Sequence, residues 1–236
     1  MMKTRDIKLA VLALAVLVPG LGMAQADKNV WEGAYGQIGL IGYASLIPVA
    51  TNGTTTTPMG TSFSTFSTAN HSNGFAANIG AGYNFAINER YLLGVGATFY
   101  PGGSKSASTT ATNALSTISG TYSVANVFSV FVSPSYVIDQ EKLAYAKIGY
   151  TEGTLRISVS GNAIGNFPQQ SLQTSGTVFG LGYKQILLGS IYGFAEANYV
   201  LNNPKSLSVT TDNNLVISST AKASGYDVLL GIGYLF

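Results

Sequence analysis

Between Tyr226 and Phe236 every second residue is apolar or aromatic: Tyr226, Val228, Leu230, Ile232, Tyr234 and Phe236. The alternate set, Gly225, Asp227, Leu229, Gly231, Gly233 and Leu235, is mostly small. A period of two marks a β-strand with two unlike faces, because successive side chains point to opposite sides. The pattern recurs upstream. Phe75, Ala77, Ile79, Ala81, Tyr83 and Phe85 oppose Ala76, Asn78, Gly80, Gly82 and Asn84. Tyr91, Leu93, Val95, Ala97 and Phe99 oppose Leu92, Gly94, Gly96, Thr98 and Tyr100, while Phe128, Val130, Val132, Pro134 and Tyr136 oppose Ser129, Phe131, Ser133 and Ser135. Ala144, Ala146, Ile148 and Tyr150 oppose Tyr145, Lys147, Gly149 and Thr151. Thr177, Phe179, Leu181 and Tyr183 oppose Val178, Gly180, Gly182 and Lys184. Between Ile191 and Val200, Phe194, Glu196 and Asn198 oppose Gly193, Ala195, Ala197 and Tyr199. A first segment, about Trp31 to Tyr43, alternates less cleanly and its facing stays open.

These eight segments of roughly ten residues have the length that a tilted strand needs to cross a bilayer. Charged residues make up 9% of the chain, against roughly 25% in soluble domains, while hydrophobic residues reach 46%. Beyond the N-terminal leader no stretch supplies the roughly 20 consecutive apolar residues of a spanning helix, and the only other fold that satisfies every backbone polar group in lipid is a closed barrel. The connections alternate in length: long around 44–73, 101–121, 153–174 and 201–223, short at 86–90, 139–142 and 187–190. Outer-membrane barrels pair long extracellular loops with short periplasmic turns. The expectation is an all-β, eight-stranded antiparallel up-and-down transmembrane β-barrel with both termini periplasmic. Its lipid face carries the first set of each pair above, its lumen the second, except that Phe194, Glu196 and Asn198 face the lumen. Inward glycines relieve crowding in so narrow an interior. Trp31, Tyr43, Phe85, Tyr91, Phe99, Tyr100, Tyr136 and Tyr199 lie near strand ends, where aromatic girdles form at the lipid–water boundary.

The first 26 residues read as a secretory signal peptide. Lys3, Arg5 and Lys8 precede the apolar run Leu9 to Val18, and Ala24-Gln25-Ala26 supplies the small-x-small cleavage pattern, with Ala24 and Ala26 as its small residues. The barrel domain then covers 27–236. Removing the leader's three basic residues and one acidic residue leaves nine of each sign, so nothing suggests nucleic-acid binding. With no cysteine there is no disulfide, thiolate nucleophile or thiolate metal site.

Three strands share a G-x-G-aromatic phrase: Gly80-Ala81-Gly82-Tyr83, Gly180-Leu181-Gly182-Tyr183 and Gly231-Ile232-Gly233-Tyr234. Lys147-Ile148-Gly149-Tyr150 is a variant. A dinucleotide fingerprint would need a helix opening at the glycines, and here they sit mid-strand. With the leader and the final Tyr-Leu-Phe, these phrases make the mature chain resemble the small Gram-negative outer-membrane barrels, the OmpA-like transmembrane domain and the OmpX, Ail and opacity-protein type. The resemblance implies that Tyr234 and Phe236 form the C-terminal signal read by the outer-membrane assembly machinery. It also implies a setting of outer-membrane lipid and lipopolysaccharide. The barrel is expected to be the whole mature protein and a monomer.

Four charges fall on lumen faces: Lys147, Glu196, Asp227 and, near a short turn, Lys184. Lys147 and Glu196 sit at similar depth. They are expected to pair across the lumen, since an isolated buried charge is costly and a paired one tolerable. Such a group either plugs the barrel or gates a narrow pore, and the narrow interior of eight strands favours the plug. Catalysis would require a nucleophile and a base. His71 is the chain's one histidine, and adjacent strand residues face opposite ways, so it is poorly placed to act on Ser72. No catalytic residue, metal ligand or cofactor is expected. Tracts such as Thr51 to Thr57 and Ser104 to Ser119 read as mobile polar loops available for surface contacts. Asn52-Gly53-Thr54 matches a glycosylation sequon without weight here. The reading is a non-enzymatic integral outer-membrane barrel, structural or surface-interacting. A narrow channel for small solutes is the alternative, and a lipid-modifying enzyme a more distant one.

Overall fold

The computed structural model describes residues 29–49, 52–114, 117–160 and 167–236; the expected leader, including Ala24 and Ala26, lies outside them. In chain order the strands are β1 (Gly33–Val49), β2 (Asn52–Thr56), β3 (Ser62–Ala69), β4 (Ser72–Phe75), β5 (Asn78–Ala86), β6 (Tyr91–Gly103) and β7 (Ala107–Thr112). They continue as β8 (Thr117–Asp139), β9 (Lys142–Ser160), β10 (Phe167–Leu188), β11 (Ile191–Asn202), β12 (Lys205–Thr210) and β13 (Val216–Leu235). Eight of them close a ring of antiparallel neighbours, β1-β5-β6-β8-β9-β10-β11-β13, with β13 returning to β1. Closure leaves no unpaired edge in the ring.

The short turns follow local chemistry. Leu188 reaches Ile191 through Gly189 and Ser190, with Gly189 at φ 56°, a conformation glycine adopts without a Cβ clash. At the turn before β9, Asp139 Oδ1 accepts from the Glu141 backbone N–H at 2.9 Å, and Lys142 pairs with the same carboxylate at 3.0 Å. Before β6, Asn88 Oδ1 accepts from the backbone N–H groups of Arg90 and Tyr91, both at 2.9 Å. Such side-chain caps satisfy donors that no strand partner reaches.

The long connections correct the expectation of mobile loops. Within them β2 pairs with β3, β3 with β7, β7 with β8, and β12 with β13, so much of the Thr/Ser-rich chain is strand. Beyond the ring, β2, β3 and β7 bridge from β13 to β8 in the places that β1, β5 and β6 hold below. Threonine is β-branched and favours strands, and its hydroxyls bond across them: Thr55 to Thr65 at 2.9 Å, Thr68 to Thr110 at 2.7 Å. One seam stays unzipped. Pairing of β5 with β6 ends at Ile79 and Phe99, and beyond it β4 pairs, among the described residues, with β1 alone.

Side-chain parity matches the expected facing. The apolar set of β13 is exposed at the ring's outer surface, whereas Asp227, Leu229 and Leu235 are buried. Ala97 and Phe128 depart from it, both buried despite outward parity. Ala97 is a single methyl between cross-strand Ala81 and Val130, and Phe128 abuts a bulge where Asn126 takes φ 53°. Phe85, Tyr91, Tyr136 and Tyr199 are exposed at or near strand ends, as a girdle requires, whereas the exposed Tyr43 lies within the longer β1. Trp31 and Tyr100 do not belong to it. Trp31 is 0% exposed and packs edge-on against Tyr192 inside the short-turn end, 5.8 Å between centroids, and Tyr100 points inward. Bulky rings near a strand end stop up a narrow barrel as readily as they ring it, and parity decides which. In β1 the inward set is Tyr35, Gln37 and Gly39, after which a bulge between Gly39 and Ile41 leaves Leu40 and Ile41 both exposed.

Candidate functional site

Glycine and aromatic residues interlock in the lumen near the short turns. A Cβ on Gly182 would stand 2.5 Å from Tyr145 Cε1, and one on Gly231 2.5 Å from Phe194 Cε1. One on Gly233 would overlap the Tyr192 ring. Gly82, Gly182, Gly231 and Gly233 of the repeated phrases are thus seats for a neighbouring strand's inward ring, while Tyr83, Tyr183 and Tyr234 of the same phrases face outward. With Trp31, Leu92 and Leu143, these rings fill the short-turn half.

Above that layer the expected charges meet. Lys147 Nζ lies 2.6 Å from Glu196 Oε1, with both side chains 1% exposed. Tyr145 donates its hydroxyl to Glu196 Oε2 at 2.7 Å, and Asn198 Nδ2 donates to Oε1 at 2.9 Å. Both carboxylate oxygens therefore have partners, the condition under which a buried ion pair is tolerable. The lysine stem lies along Gly180, where a Cβ would come within 2.7 Å of Lys147 Cγ and Cε. Asp227 joins through Asn198 Nδ2, at 2.7 Å from its Oδ1, and the Tyr100 hydroxyl donates to that same oxygen at 3.2 Å.

Lys184 stands apart from this group. It is buried and has no ion-pair partner among the described residues; its Nζ lies 3.8 Å from the ring centroid of Tyr35, 4.9 Å from that of Tyr192 and 5.3 Å from that of Tyr145. Ring quadrupoles take the place of a carboxylate there. A cavity of about 10 Å³ bordered by Lys184, Glu196, Gln37 and Tyr145 is room for about one water. Alternation places all four charges inside, but it does not report that the rings of Tyr35, Tyr145 and Tyr192 close around Lys184 and part it from the other three.

The long-loop half is open. A cavity of about 170 Å³ sits over Lys147 and Asp227, walled by Thr98, Tyr100, Thr151 and apolar side chains including Val178 and Val200. His71 is exposed, whereas Ser72 is buried and gives its hydroxyl to the Lys105 carbonyl, so the two share no chemistry. Tyr234 and Phe236 are exposed on the outer face with ring centroids 5.1 Å apart. No group of three metal-ligating residues occurs among the described residues.

No family model matches the chain, and no curated protein does. Solved structures share its fold. The outer membrane protein OprG from Pseudomonas aeruginosa superposes with a TM-score of 0.53 at 11% identity, over 87% of this chain and 96% of that one. Ail, the attachment invasion locus protein of Yersinia pestis, gives 0.36 at 17% identity, over 83% of this chain and 99% of that one. The outer membrane protease OmpT from Escherichia coli gives 0.44 at 8% identity, over 90% and 99%. At these identities the likeness is one of fold, and the OprG superposition carries it. Closed ring, apolar outer face and glycine-seated core together give this chain the fold of the small outer-membrane β-barrel proteins.

Proposed function

We propose that this chain is a non-enzymatic integral outer-membrane protein, closed to through-flow, that acts at its long-loop end. The observation that supports this most is the filled lumen: Trp31, Tyr35, Tyr145 and Tyr192, capped by the Lys147–Glu196 pair, occupy the short-turn half. An eight-stranded barrel has little interior to spare beyond its own side chains. The long connections, built as strands rather than left slack, give the other end a defined surface. In this reading both termini are periplasmic, Tyr234 and Phe236 serve assembly, and lipid and lipopolysaccharide surround the outer face.

Single-channel recording of the refolded chain across a planar bilayer tests closure, with Glu196→Ala beside it. A silent membrane, with folding verified by heat-dependent gel migration, fits the proposal. Discrete steps in the unaltered chain, changed in Glu196→Ala, would establish the narrow gated channel instead. Orientation is read separately. Because the chain lacks cysteine, Met59→Cys at the β2–β3 tip should react with an impermeant maleimide on intact cells, and Glu141→Cys in a short turn should not.

A further inference from the structure

The open cavity has a floor of unusual polarity. Lys147 is committed to Glu196 at 2.6 Å, which leaves Asp227 as a second acidic group with no cationic partner among the described residues. Its Oδ1 accepts from Asn198 and Tyr100, and its Oδ2 has no donor among those residues. Asp227 is nonetheless 9% exposed and lines the cavity. Thr98 belongs to the same cavity wall; it is 1% exposed, and its buried Oγ1 has no hydrogen-bond partner among the described residues. Buried polar atoms without partners are few in folded proteins, and each asks for an explanation. Val124, Val127, Val178 and Val200 give the wall an apolar part, beside hydroxyl-bearing residues such as Ser129, Thr151 and Thr174. At about 170 Å³ the space falls below the roughly 300–1,000 Å³ of sites for drug-sized ligands.

We infer that this cavity is a binding site for a small amphipathic ammonium compound. Its N–H donors would meet Asp227 Oδ2 and Thr98 Oγ1, and its short apolar body would lie against the valines. An anionic ligand would face an unpaired carboxylate, and a purely apolar one would leave both polar atoms unsatisfied. The cavity needs its floor, so this inference rests on the closed-lumen reading.

The test follows the backbone amide signals of Thr98, Tyr100 and Asp227 by NMR in detergent micelles during titration with n-hexylammonium, n-hexanoate and n-hexanol. The expected result is saturable shifts at these amides with n-hexylammonium. The other two probes, and n-hexylammonium with Asp227→Asn, should bind weaker by about tenfold or more, the scale of one charge-assisted hydrogen bond. Thr98→Val, nearly the same shape, should weaken the amine by a smaller factor, and it decides the matter if Asp227→Asn does not fold. Equal responses to all three probes would mean partition into apolar surface and overturn the site, as would amides that do not move or variants that bind like the parent. A conducting barrel in the bilayer assay would fail the closed-lumen reading; a silent barrel with unmoved amides would fail the ligand site alone.

Discussion

Replacing Lys147 by methionine isolates the electrostatic part of the lumen plug. The stem occupies the channel beside Gly180, so an unbranched side chain of similar length keeps the packing and removes the ammonium alone. Glu196, 1% exposed as a side chain, is then a buried carboxylate without a counter-charge. Breaking a buried pair from one side typically costs about 3–5 kcal/mol. Glu196 retains its bonds from Tyr145 at 2.7 Å and Asn198 at 2.9 Å, and hydrogen bonds to charged groups contribute about 1.5–3 kcal/mol each. The expected loss therefore sits near the lower end, about 3 kcal/mol.

The double variant Lys147→Met/Glu196→Gln removes both charges and leaves an amide able to accept from Tyr145. It should return to within about 1 kcal/mol of the parent, because a neutral core of equal volume often matches an ion pair. Urea titration of the chain refolded in lipid vesicles, followed by fluorescence of the chain's one tryptophan, reads both. That tryptophan, Trp31, is 0% exposed within the plug. Losses in the two single variants that add in the double to within about 0.5 kcal/mol would show no coupling and refute the reasoning.

Three further outcomes follow from the same geometry. Gly182→Ala drives a methyl to 2.5 Å from Tyr145 Cε1 and should lower stability in the same titration by about 1–3 kcal/mol, the usual cost of overpacking. Trp31→Ala empties the centre of the plug and should cost about 3–5 kcal/mol, read as a lower temperature for loss of the compact gel form. At the exposed turn, the Lys142 ammonium hydrogen-bonded at 3.0 Å holds the Asp139 carboxyl below the usual carboxylate range. The pair's contribution is therefore present at neutral pH and lost as pH falls through that lowered value, and Lys142→Met should move the Asp139 carboxyl NMR titration upward.

Parity was legible in the sequence wherever the ladder runs without interruption. In β9, β10, β11 and β13 each inward position could be named from the alternation, and with it the burial of Lys147, Lys184, Glu196 and Asp227. Reading failed where backbone geometry shifts the count: at the Gly39–Ile41 bulge, which blurred β1, and beside Asn126, where Phe128 is buried against expectation. It also failed for the Thr/Ser tracts, because low charge and low hydrophobicity look alike in a slack loop and in a strand whose partners lie far along the chain. The bond between Thr68 and Thr110 joins residues 42 positions apart, and no local pattern reports it.

The lumen charges show why position alone left their chemistry open. Lys147 and Lys184 are both inward, both buried lysines on neighbouring strands, yet one meets a carboxylate and the other a cage of rings. What differs is the layer. Cross-strand register sets Lys147 opposite Gly180, whose missing side chain lets the stem lie flat toward Glu196. Lys184 sits two inward positions further along β10, past Gly182, which seats the Tyr145 ring instead. Two glycines of one G-x-G phrase thus admit different neighbours, and the layer where lysine gives way to tyrosine is where the open cavity ends and the plug begins. The depth of the cavity is thus set by which residue each glycine receives, and enlarging Gly180 should disturb its floor while leaving the rings below in place.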